Sequence, residues 1–165
     1  MGVSNSIFSI SKVQGDSEFI KHLQGLDSYK TPSLEYKEPN AREPTLAEIY
    51  KSIELSGIKI LNERLEKDEI KLKEGKNITI HTFDITDNEI DYIEDLTLRY
   101  ESNNSEEKSI ESISGIKTHY RILIKLASEL TKFCGSLYII NPYESFFIQK
   151  ERNYQEIWNE IKNCS

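Results

Sequence analysis

The sequence predicts an α+β fold, a mainly antiparallel sheet of about five to six strands with helices packed on one face. Three observations predict it. The apolar period switches repeatedly between two residues and three to four, so strands and helices interleave. Strand-like runs come in neighbouring pairs joined by short turns, the pattern of antiparallel hairpins. The length, 165 residues with 37% hydrophobic side chains, suits one domain over residues 1–165 with a core of its own.

The elements follow in order. Ser6–Val13 alternates apolar and polar side chains and predicts a first strand. Asp16 or Ser17 can cap a short helix whose Phe19, Ile20, Leu23 and Leu26 share a stripe. Residues 27–44 contain Pro32, Pro39 and Pro44 and predict a long extended connection, with Tyr29 and Tyr36 as a second candidate contact surface. Thr45-Leu46-Ala47-Glu48 is a capping box ahead of the stripe Leu46, Ile49, Tyr50, Ile53. Ile58, Leu61 and Leu65 keep helical spacing past Gly57, so a helix or broken helix to about Lys67 is expected. Ile70 and Leu72, then Ile78 and Ile80 across Glu74-Gly75-Lys76-Asn77, predict a hairpin whose return strand reaches Phe83 or Ile85. A loop or short turn through Asp87–Asp91 then leads to a strand with Leu96, Leu98 and Tyr100 on one face. Asn103–Ser114 is polar and serine-rich and reads as a surface loop or a weak helical turn. Ile116–Cys134 is the strongest helix, with Gly135 placed to end it. Ser136–Ile140 and Ser145–Gln149 form a hairpin about Asn141-Pro142, and a last helix carries Tyr154, Ile157, Trp158 and Ile161.

Charge is unevenly spread. Residues 76–115 hold three basic and ten acidic side chains, a net of −7, which equals the net charge of the whole chain. Asp84, Asp87, Glu89, Asp91, Glu94 and Asp95 put six carboxylates into twelve residues with no Lys or Arg among them. Ile85, Ile90, Ile93 and Leu96 are threaded between them, so the acids belong to a segment that packs and not to a disordered tail. Such a field attracts a basic partner and repels nucleic acid. Tyr92 and Tyr100 supply aromatic anchors with a polar tip. The bland alternative is a solvated acidic edge that serves solubility.

The catalytic signatures are thin. No phosphate-cradling glycine loop, G-x-S-x-G or G-x-G-x-x-G occurs. Cys134 with His81 or His119 is the one nucleophile–base combination to test, and Cys134 reads as a buried, inert thiol. Asp87, Glu89 and Asp91 start like a calcium loop, but Tyr92 and Leu98 occupy the positions that need Gly and Glu. The reading is a protein without metal or cofactor. Two distant cysteines, Cys134 and Cys164, suit a reducing compartment. With no apolar run of membrane-spanning length and no secretory leader expected, the compartment read is the cytoplasm.

The helix over residues 120–134, ending LASELTKFCG and followed by SLYIINPYESFFI, resembles the end of small bacterial immunity proteins of polymorphic-toxin and contact-dependent growth inhibition systems. The resemblance covers roughly residues 78–148 and lies in the succession of helix, Cys-Gly and apolar strand. It implies a non-catalytic α+β protein that neutralises a cognate toxin by binding it. Those families bind through different surfaces, so no site residues transfer. The expected partner-binding residues come from this chain itself: Asp84, Asp87, Glu89, Asp91, Tyr92, Glu94, Asp95 and Tyr100. Their expected target is the basic active site of a toxin, a nuclease being the best fit. A structural or regulatory binding subunit is the alternative, and a metal-dependent hydrolase the third reading.

Overall fold

The computed structural model describes residues 4–33, 35–87, 93–103, 109–116 and 120–163. Strand β1 covers Asn5–Ser9, and the chain then turns into helix α1, Ile10–Gln14. The expected strand over 6–13 stops early because the Ser9 hydroxyl accepts the Ser11 N–H at 3.2 Å and starts the helix. Ile10 and Val13, spaced by three, then bury on one side. Helix α2, Ser17–Gln24, is capped by the Asp16 carboxylate, which accepts from Glu18 and Phe19. Within the long connection lies a three-residue strand β2, Asp27–Tyr29.

Helix α3, Leu46–Leu55, has the reciprocal Thr45/Glu48 capping box that its sequence predicts. It closes at Gly57, φ +76°. The next segment corrects the reading of a continuing helix: residues 59–67 form strand β3, Lys59–Lys67. Leu61 and Leu65 lie 52% and 66% exposed, so their helical spacing marks surface residues and not a core stripe. A second correction follows at once. Residues 69–73 are helix α4, Glu69–Lys73, because the Asp68 carboxylate caps the Ile70 and Lys71 N–H groups at 3.1 Å each. The true hairpin is β3 with β4, Ile78–Thr86, and α4 sits at its tip.

Strand β5, Glu94–Glu101, is followed by β6, Ser112–Ile116, whose first residues fall in the serine-rich segment expected to be a loop or helical turn. Its SISGI sequence is a poor strand signal by itself, and pairing with β5 and β1 fixes it as one. Helix α5, Tyr120–Cys134, starts later than the expected Ile116, which belongs to β6, while strands β7, Leu137–Ile140, and β8, Glu144–Ile148, and helix α6, Tyr154–Asn163, lie where the sequence places them. Asn141 turns the last hairpin: its side-chain oxygen accepts the N–H groups of Tyr143 and Glu144 at 2.8 and 3.0 Å.

The described strands form one eight-stranded mixed sheet, ordered β2-β8-β7-β1-β6-β5-β4-β3. It exceeds the expected five to six strands because β2, β3 and β6 carry no clear strand pattern of their own. β1 is central and antiparallel to both neighbours, and β2 adds to β8 in parallel. Helices cover both faces, which corrects the one-face arrangement. In β7, Leu137 and Ile139 join the main core with α3, α5 and α6. Tyr138 and Ile140 point the other way, into a second cluster with α1 and α2. Helices cover the second face over β1, β7 and β8 among the described residues. Among the described residues, no helix packs over its β3–β6 half. Nor, among them, is any helix long and apolar enough to cross a membrane.

Candidate functional site

The half of the sheet that no described helix covers is built from alternate residues of four strands. Cross-strand register lines up Ser114 of β6, Thr97 of β5, Thr82 of β4 and Arg64 of β3 in one row, all of them polar. In the neighbouring row Asp95 stands opposite Asp84, which stands opposite Asn62. On the other side of the threonine row, Arg99 is paired with Asp68. The result is a partly exposed surface of hydroxyls and charges on a paired, rigid backbone.

Asp84 and Asp95 are the two predicted site residues that this surface brings together. Arg64 Nη1 lies 2.6 Å from Asp84 Oδ2. Burial pushes the Asp84 carboxyl up, but hydrogen bonding with Asp95 and with Arg64 outweighs it and holds the group below the usual carboxylate value. The two carboxyls are thus a hydrogen-bonded pair, which Arg64 reaches at Asp84 from the β3 side.

The remaining predicted residues go elsewhere. Asp87 is 5% exposed and its Oδ2 lies 3.0 Å from Lys125 Nζ on α5. That ammonium also sits 5.2 Å from the centre of the Tyr154 ring on α6. Asp87 therefore ties the end of β4 to two helices. Glu94 is 2% exposed and lies beside Ile85 on the core face. Tyr100 also faces that side, with its hydroxyl 2.9 Å from His81 Nδ1. Glu89, Asp91 and Tyr92 lie outside the described residues. Parity carries the missing signal. If Leu96 and Leu98 point inward, so must Glu94 and Tyr100, and Asp95 must point outward. Likewise Phe83, Ile85 and Asp87 share one parity of β4, and Asp84 has the other. Arg99 shares the outward parity of Asp95 and Thr97, whereas Arg64 joins the surface without a sequence signal, because its strand has the apolar spacing of a helix.

The other candidates are occupied by structural roles. His81 is buried, with Nε2 2.9 Å from Glu63 Oε1, and the Tyr50 hydroxyl donates to the same oxygen at 2.5 Å. This chain fastens α3 to β3, β4 and β5. The Cys134 thiol is buried, donates to the Leu130 carbonyl at 3.3 Å and is pushed up to about 12, chiefly by burial. His119 lies outside the described residues. The tyrosines of the connection turn inward: Tyr36 meets Phe147 edge-on, and the Tyr29 hydroxyl donates to Glu160. Among the described residues, no three His, Cys, Asp or Glu side chains gather in a way that could hold a metal ion.

No protein-family model, no curated protein and no solved structure matches this chain.

Proposed function

We propose that the protein is a non-catalytic binding protein that neutralises a cognate basic toxin, a nuclease being the best fit, by seating a Lys- or Arg-bearing segment on the open half of its sheet. One observation carries the reading: Asp84 and Asp95 are cross-strand partners on a polar surface that no described helix covers. A partner's guanidinium or ammonium would add a charge-assisted contact to the pair that Arg64 already reaches at Asp84. The resemblance of the α5–β7–β8 segment to small immunity proteins favours a toxin as that partner. Relative to the sequence reading, the recognition group narrows, among the described residues, to Asp84 and Asp95, since Asp87 and Glu94 are buried and Tyr100 faces the core.

A structural or regulatory subunit is the second reading, favoured by β3. This nine-residue strand is the outer edge of the sheet and carries the exposed Leu61 and Leu65. Such an edge suits strand-to-strand pairing with a partner. Affinity capture from the native cell with wild-type protein, followed by association kinetics of Asp95→Asn at low and physiological salt, separates the two. The toxin reading expects a basic partner whose association slows about tenfold at low salt and less at physiological salt. A partner that binds Asp95→Asn at the wild-type rate in both buffers removes the acidic pair from the mechanism.

A further inference from the structure

Five of the eight large apolar side chains exposed among the described residues fall within residues 55–72: Leu55, Leu61, Leu65, Ile70 and Leu72. They lie on β3 and its two flanks, the end of α3 and helix α4. β3 is the outer strand of the described sheet, and Leu61 to Lys67 are all exposed, so no described helix overhangs it. The opposite edge strand, β2, has three residues against nine. The Asp68 N–H donates to the Ile78 carbonyl on β4 at 3.0 Å. Backbone groups alternate in direction along a strand, so those of Glu63, Leu65 and Lys67 point away from β4. A long edge with outward backbone groups is a template for another strand.

We propose that the strand it takes is β3 of a second copy, paired antiparallel about a two-fold axis through Glu63. Charge and a bulge select that register. Simple alternation about Glu63 would set Lys59 against Lys67. The register of β3 shifts, however, between Ile60 and Asn62, with Leu61 as the extra residue. Lys59 therefore shares the face of Asp84 with Asn62, Arg64 and Glu66, and Ile60 shares the core face with Glu63 and Leu65. Counted past the extra residue, Lys59 of each copy meets Glu66 of the other, Ile60 meets Leu65, and Asn62 meets Arg64. Each pair occurs twice, on matching faces. Charges on an edge ordinarily keep strands apart, but these complement an inverted copy of themselves. The same axis carries Leu55 of one copy toward α4 of the other, where Ile70 and Leu72 are exposed. The unfavourable contact is at the axis, where two Glu63 carboxylates meet; each already accepts from the Tyr50 hydroxyl at 2.5 Å and lies 2.9 Å from His81 Nε2. The inference commits the edge pairing of the second reading to one partner and does not depend on what binds the Asp84–Asp95 pair.

The test is sedimentation of the full chain over a concentration series that brackets a Kd on the order of 10 μM, across which the wild-type mass should rise from 19.2 kDa to twice that value. Lys59→Glu and Glu66→Lys alter exposed side chains, and each turns both opposite-charge pairs into like-charge pairs. Either variant alone should associate about tenfold more weakly than wild type. Mixed in equal amounts, the two should form a heterodimer at wild-type strength, because each supplies the charge that the other lacks. Both substitutions in one chain should likewise restore the dimer. A monomer across the whole series, growth beyond a dimer, a dimer indifferent to both reversals, or a mixture no stronger than its components would each overturn the proposal. A chain that stays monomeric but loses a captured partner in Lys59→Glu would overturn it too and assign the edge to a foreign strand, with the structural-subunit reading intact.

Discussion

Replacing Asp87 by alanine separates its structural role from any role at a surface. The Asp87 side chain is 2% exposed and that of Lys125 is 15% exposed, with 3.0 Å between the charged atoms. Removing one partner of a buried pair strands the other charge, at a cost of about 3–5 kcal/mol. Lys125 retains some access to water and its place over the Tyr154 ring, which puts the expected loss near the lower end, about 3 kcal/mol. Against a total stability of about 5–15 kcal/mol for a domain, that is a fifth or more of the fold. With a urea slope of about 2 kcal/mol/M, the unfolding midpoint should drop by about 1.5 M. For a chain of this length the melting temperature should fall by roughly 6–12 °C. Urea denaturation followed by tyrosine and Trp158 fluorescence reads the shift directly. Adding Lys125→Met to Asp87→Ala should recover at least about 1 kcal/mol, because the buried ammonium is removed along with its carboxylate. A loss below about 1 kcal/mol in Asp87→Ala, or a double variant less stable than the single, would refute the reasoning and return Asp87 to the surface group.

Two further substitutions test the frame. Arg152, then Lys30 and Tyr29, hold the Glu160 carboxyl well below its usual value, with Arg152 Nη2 at 2.6 Å and Lys30 Nζ at 2.8 Å. A carboxylate lowered by folding stabilises above its unfolded value, about 4.3, and that gain fades as pH falls through the folded value. Glu160→Gln should therefore melt below wild type at pH 7, and the gap should narrow below about pH 4; a gap constant from pH 7 to pH 3 would show that charge has no part in it. Gly135 has φ +88°, and an added Cβ would meet Ala41 Cβ and Glu38 Oε1, both at 3.0 Å. Gly135→Ala should cost about 1–3 kcal/mol from backbone strain, measured by the same denaturation; an unchanged midpoint would mean that the α5–β7 turn relaxes freely.

How much is legible in the sequence depends on whether local chemistry and tertiary packing agree. The Thr45/Glu48 box, the α5 stripe, Gly135 after it and the Asn141 turn are legible because each is fixed by groups within a few residues of one another. So is the buried state of Cys134, since it ends the apolar stripe of α5. Residues 59–67 mislead because Leu61 and Leu65 obey helical spacing while lying on an exposed edge, where neither face imposes a pattern. β2 and β6 owe their conformation to β8, β5 and β1, whose pairing no local pattern announces. The sequence by itself determined that Asp84, Asp87, Glu94 and Asp95 belong to a folded segment. Only the tertiary structure decided that Asp84 and Asp95 look outward while Asp87 and Glu94 are enclosed. The period of two assigns residues to opposite sides of a strand, but which side is open depends on where the helices dock.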